Sequence, residues 1–190
     1  MTYKRLRRTI AAGVIATALT VPGAALAADG SGGVGIGGTG TTPPTTGTTT
    51  PGPTAKLKNG FAIPPASAPR KVKLAIESAN EIVKGHPYCM GGGHQRRVDR
   101  CYDCSGSVSY ALTGAGLLDY AMPSGSFMGR RGWGKAGAGE WITTYANGGH
   151  MYAVIAGLRL DTSMTVGDGP GWSTEMRSSD GFEARHPLGL

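Results

Sequence analysis

The sequence predicts an α+β domain, helices first and antiparallel strands after them, carried behind a low-complexity amino-terminal stretch. Three observations lead there. Apolar residues recur at helical spacing in two segments between residues 69 and 115, the apolar period changes to two after residue 140, and residues 28–55 are almost wholly Gly, Thr, Pro and Ser. No internal repeat interrupts this order.

Residues 1–27 open with Lys4, Arg5, Arg7 and Arg8, continue through an apolar run from Ile10 to Val21, and end on Ala25-Leu26-Ala27. That is the layout of a cleaved export signal, with cleavage expected after Ala27. The apolar run is shorter than the ~20 residues that span a bilayer, so no stable membrane anchor is expected after cleavage. The Arg7-Arg8 pair leaves both the general and the twin-arginine export routes open. The formal charge of +7, from 19 basic and 12 acidic side chains, suggests nucleic acid until the signal is removed. Without its four basic residues the chain is near +3, which favours an anionic envelope surface and argues against a nucleic-acid partner. Residues 28–55 bury too little apolar surface to offset the entropy of ordering them and are expected to form a tether.

The globular part is expected over residues 56–190. Val72, Ala75, Ile76, Ala79, Ile82 and Val83 predict a helix over 69–84, ended by Gly85 and Pro87. Asp103 can cap a second helix from Cys104 to about Ala115, with Val108, Ala111, Leu112 and Ala115 as its buried stripe. Residues 122–139 are Gly-, Ser- and Arg-rich and predict a long loop. Trp141, Thr143 and Tyr145, then His150, Tyr152 and Val154, then Leu158, Leu160 and Thr162 mark strands, with Ala156-Gly157 as a two-residue turn. The segment from Met164 to Leu190 is expected to close the sheet, and Trp133, Trp141 and Trp172 to act as packing anchors rather than glycan platforms.

The chain has 3 cysteines, so one bridge leaves one thiol over. Cys89 and Cys101 flank a polar loop, and joining them would staple it for about 3 kcal/mol. Cys104 would then be free at a helix start, where the helix end stabilises a thiolate and the first amides can hold an oxyanion. An inert buried cysteine, a Cys101–Cys104 redox pair, and a zinc site adding Cys89 and His94 are the alternatives; the spacing favours neither zinc nor a thioredoxin-like arrangement. A thiol nucleophile needs a base. Among the 4 histidines, His150 follows Gly148-Gly149 and opens a strand, whereas His86, His94 and His186 lie in turns, loops or the last residues. With Ala156-Gly157 at the turn, Asp161 becomes the diagonal neighbour of His150 and can orient its ring; a one-residue slip presents Thr162 instead.

Pro87-Tyr88-Cys89-Met90-Gly91-Gly92, Asp103-Cys104-Ser105-Gly106 and Gly149-His150-Met151-Tyr152-Ala153-Val154-Ile155-Ala156-Gly157 resemble, in order and spacing, the NlpC family of bacterial cell-wall cysteine peptidases. The resemblance implies a papain-like domain whose cysteine heads a helix packed on a sheet that carries the histidine. It implies hydrolysis of peptidoglycan stem peptides, most often between γ-D-glutamyl and a diamino acid, with catalysis by Cys104, His150 and Asp161 and without metal or cofactor. It further implies substrate contacts from Tyr88, from Asp103 and Ser105, which match residues that hold a substrate amine in some members, and from Ser126. Asp161 departs from the family's usual His, Asn or Gln and stands one residue early. The Cys89–Cys101 staple and the loop over 129–139 are not general family features. Two other functions remain open: a Cys/His-dependent amidase cutting between muramic acid and L-alanine, and a non-enzymatic wall-binding protein on the same fold.

Overall fold

The computed structural model describes residues 52–95, 98–163 and 169–190. The expected export signal and nearly all of the expected tether lie outside them. A short hairpin, β1 (Lys56–Lys58) and β2 (Phe61–Ile63), leads into α1 (Arg70–Ile82) and α2 (Cys104–Gly114). A single 3-10 turn (Ser124–Phe127) follows, then β3 (Lys135–Ala136), β4 (Ile142–Ala146), β5 (Met151–Ile155), β6 (Leu158–Asp161), β7 (Gly171–Ser173) and β8 (Glu183–His186). The six later strands form one sheet in the order β3-β8-β4-β5-β6-β7, antiparallel at every pairing. The expected α+β class and the expected role of the last segment in the sheet are both met.

Helix α1 starts where the fixed backbone of Pro69 suits a helix entry, and it ends three residues before Gly85, which takes φ 78°. Its Val72, Ala75, Ile76 and Ala79 join Val108, Ala111 and Leu112 of α2 in one buried cluster with Ile142, Met151, Ala153, Ile155, Leu158 and Leu160 of the sheet. Both helices therefore cover the same sheet face, and burying each large aliphatic side chain there contributes about 1.5–3 kcal/mol. Asn80 is the polar exception in this packing. Its amide nitrogen donates to Ala62 O at 2.8 Å, while its carbonyl accepts from Ala62 N at 3.0 Å and from Trp172 Nε1 at 2.9 Å, tying β2 and β7 to α1. Trp172 is thus a packing anchor with its one donor satisfied.

The β5–β6 turn decides the geometry of the site. Ala156 and Gly157 both take positive φ, 46° and 79°, as a two-residue turn of this type requires. The resulting register pairs Ile155 with Leu158, Val154 with Arg159 and Ala153 with Leu160. An alanine in the left-handed region costs about 1 kcal/mol. Its carbonyl accepts from Ala55 N at 2.8 Å, so Ala55, at the end of the low-complexity stretch, is buried against this turn.

Two details differ from expectation. Strands β4 and β5 begin one residue later than Trp141 and His150, because His150 belongs to the preceding turn rather than to the ladder. The segment over 122–139 also holds more structure than a loop, for a reason seated far away in sequence. Buried Arg185 on β8 donates to the carbonyls of Gly129, Trp133 and Gly134 at 2.6–3.3 Å, and Glu183 accepts from Gly129 N. No helix among the described residues is long and apolar enough to cross a membrane.

Candidate active site

Cys89 and Cys101 form a disulfide, and Cys104 is free and partly buried. The bridge takes Cys101 out of any redox pair with Cys104 and removes Cys89 as a thiolate ligand. Cys104 is the first residue of α2. Asp103 caps that helix in extended conformation, its carboxylate accepting from Gly106 N at 2.6 Å while its carbonyl accepts from Ser107 N at 3.0 Å. Gly106 has a packing reason to be glycine. A Cβ there would collide with the carbonyl of Gly92, because the Gly91-Gly92-Gly93 segment lies directly on the first turn of α2.

His150 is held from behind by Asn147, whose side-chain oxygen accepts from Gly149 N at 2.9 Å and His150 N at 2.8 Å, while Asn147 N donates to His150 O at 2.9 Å. The ring Nε2 donates to Asp161 Oδ1 at 2.8 Å, the diagonal contact expected from the turn; Thr162 does not take its place. Asp161 is 1% exposed and richly supplied with donors. Ser163 gives Oδ1 both its amide and its hydroxyl at 3.0 Å, Arg177 Nη1 reaches Oδ2 at 3.2 Å, and Arg159 Nε stands 3.7 Å from Oδ2.

The electrostatics follow from these contacts. The hydrogen bond to Asp161 and then that to Cys104 lift the His150 ring from 6.5 to about 9, against the opposing effect of burial. Burial pushes Asp161 up, but the bonds from His150 and Ser163 prevail and bring it down to about 2. The ring is therefore an imidazolium across the neutral range, set between a carboxylate and the Cys104 sulfur. Such a cation stabilises a neighbouring thiolate and can return a proton to a leaving group.

The other expected residues fall into two groups. Tyr88 is 40% exposed, and its hydroxyl pKa is raised by burial first and by the charges of Cys104 and Asp103 next. Ser105 is buried and donates to Asp103 Oδ1 at 3.0 Å. Ser126 is exposed on the 3-10 turn; among the described residues no hydrogen bond joins its side chain to Cys104, His150 or Asp161.

Several contributors escaped the sequence reading. Asn147 precedes Gly148-Gly149, a turn signature that was available. Ser163 lies two residues past Asp161, where a side chain that bonds its own turn is common. Arg177 had no local signal: it reaches Asp161 across 16 positions while its guanidinium lies 5.3 Å from the Tyr152 ring centre and 5.1 Å from that of Phe182. His94, placed in a polar loop, instead meets Asp103 with Nε2 at 3.2 Å from both carboxylate oxygens. Neither protein-family models nor curated proteins give a match to this chain.

Proposed function

We propose that the chain is an exported, papain-like cysteine peptidase of the NlpC type that hydrolyses peptidoglycan stem peptides, at the bond between γ-D-glutamyl and a diamino acid. One observation carries the reading: a free cysteine at a helix head faces a histidine whose far nitrogen donates to a buried carboxylate. Inert structural cysteines have no need of such an arrangement, whereas a thiol nucleophile requires every part of it. The order of the motifs around Tyr88, Cys104 and His150 and the export signal at residues 1–27 support the envelope substrate.

In this mechanism the Cys104 thiolate attacks the scissile carbonyl carbon, and the negative charge moves to its oxygen. Asp103 occupies Gly106 N and Ser107 N, so the Cys104 and Ser105 amides are the donors at the helix head for that oxyanion. The intermediate collapses, the C–N bond breaks, and His150 passes its proton to the departing amine. His150 then takes a proton from water, whose oxygen attacks the thioester carbonyl. Breaking the C–S bond releases the acid and restores the thiolate–imidazolium pair. Asp161 holds the ring and its charge throughout.

Cys104→Ala, with its circular dichroism unchanged, should lose all digestion of purified peptidoglycan measured by mass spectrometry of released fragments. Undiminished release would remove the mechanism. The same spectra identify the bond: a new diamino-acid terminus supports the peptidase, while a new L-alanine terminus would make the enzyme an amidase instead.

A further inference from the structure

The segment over 129–139 has no task in the mechanism at Cys104, yet its first turn is firmly held. Gly129 and Gly132 close that turn, Gly132 N donating to Gly129 O at 3.0 Å, with Arg130 and Arg131 at its two corners. Both glycines are required: Gly129 takes φ 74°, and a Cβ on Gly132 would lie 2.6 Å from Met128 O. Glu183 accepts from Gly129 N, and buried Arg185 donates to the carbonyls of Gly129 and Trp133 at 2.6 and 2.7 Å. Trp133 N donates to Ser126 O at 3.0 Å, while its Nε1 donates to Leu117 O at 3.2 Å. The two corner side chains are the exception to this fastening. Arg130 and Arg131 are exposed, and among the described residues neither forms a salt bridge. No acidic residue stands between Asp119 and Glu140 in the sequence, and the carboxylate that reaches the turn, Glu183, is occupied by Gly129 N and Arg185. Two neighbouring cations that no carboxylate of the turn offsets set up a local positive field on a rigid support.

We propose that Arg130 and Arg131 form a docking point for an anionic envelope polymer built of repeating phosphodiesters. A guanidinium presents a planar fork that matches two oxygens of one phosphate, and successive phosphates along a flexible polymer can meet the two forks in turn. Arginine keeps its charge at any pH the envelope meets, and so does a phosphodiester. Because the backbone of the turn is already fixed, binding orders only two side chains and the entropy cost stays small. The surface uses none of the groups that act on the stem peptide, so it concentrates the protein on the wall and leaves bond cleavage itself unchanged. The inference rests on the envelope reading above and names what holds the protein there; it does not depend on the thiol chemistry.

The experiment sediments the full chain, carrying Cys104→Ala so that no wall is digested, with sacculi that bear poly(glycerol phosphate) and with the same sacculi stripped of it by hydrofluoric acid. Half-saturation should need at least about fivefold more protein on the stripped sacculi, the size expected of two exposed charged contacts, and high salt should abolish the difference. Arg130→Gln with Arg131→Gln should bind intact sacculi as weakly as the parent binds stripped ones. Lys56→Gln with Lys58→Gln removes the same charge from the β1–β2 hairpin and should change binding by less than about twofold. Equal binding of the parent to both sacculi would overturn the inference, as would a loss on stripping that the arginine variant does not reproduce. An equal loss from both double variants would reduce the effect to net charge and overturn the site. Arginine-dependent binding that survives stripping would assign the turn to peptidoglycan carboxylates and overturn the phosphodiester. With Cys104 restored, the arginine variant should cut a soluble muramoyl stem peptide at the parent's rate, and a slower rate would overturn the separation of docking from cleavage. If the parent itself does not cut that peptide, the hydrolase reading fails while the sedimentation result still decides the docking point.

Discussion

Two histidine–aspartate pairs flank Cys104, and they behave differently. His150 meets Asp161 through one short contact of 2.8 Å to a single oxygen, whereas His94 shares its Nε2 between both oxygens of Asp103 at 3.2 Å. Both carboxylates are buried and saturated with donors. The difference lies on the other side of the ring. The Cys104 side chain is the second group after Asp161 that lifts the His150 ring, whose pKa rises to about 9. His94 belongs to the loop that the Cys89–Cys101 bridge holds against the head of α2, and its aspartate is first of all a helix cap. A histidine–carboxylate pair is therefore not in itself a catalytic feature; the atom opposite the carboxylate decides what the pair can do.

The strongest way to break the contrast is Asp161→Asn. The amide keeps the shape but withdraws the charge, so hydrolysis should fall about 100-fold or more, within the range expected for losing a positioned proton carrier. The alkaline limb of the pH–rate profile should move from near 9 toward the ordinary 6.5 of histidine. The direction of the linkage is defined by the two shifts. His150, raised, contributes stability that is complete below about 6.5 and fades as the pH climbs through about 9. Asp161, lowered, contributes stability that is present above its ordinary 3.8 and fades as the pH drops through about 2. A limb that stays near 9 in the asparagine variant would show that Asp161 does not hold the imidazolium.

Next in size is the removal of the staple by Cys89→Ser with Cys101→Ser. A closed loop of this length is worth about 3 kcal/mol, which thermal unfolding of the two forms should reveal. The alkaline limb should stay in place, because the His150–Asp161 pair does not touch that loop. A shifted limb would mean that the two pairs are coupled through α2.

The smallest expected change comes from Arg177→Ala. Its guanidinium is partly exposed, so its loss should lower kcat a few-fold and move the alkaline limb upward, since a positive charge near Asp161 opposes protonation of the adjoining ring. A drop in KM-dependent binding alone, with kcat and limb unmoved, would assign Arg177 to the substrate rather than to positioning.

The α1 and α2 periods, the Asp103 cap, the Ala156-Gly157 turn and the disulfide were legible because each is dictated by residues close in sequence. Asp161 was legible for the same reason: a two-residue turn leaves one register, and the register brings it to His150. What stayed hidden depends on distant partners. Arg177 crosses to Asp161 by way of two aromatic rings, and Arg185 organises a loop more than fifty residues earlier, with 51 to 56 positions between donor and acceptor. His94 looked like a solvated loop residue until three glycines laid its loop on α2 and turned the ring onto Asp103.

Sequence alone thus determined the α+β class, the place of the free thiol at a helix start and the contact of His150 with Asp161, since capping, periodicity and turn geometry act over a few residues. The tertiary structure alone decided which carboxylate keeps a histidine for the cysteine and which is closed off by another. That choice depends on how many donors converge on each oxygen, and convergence is a property of packed elements rather than of any stretch of chain.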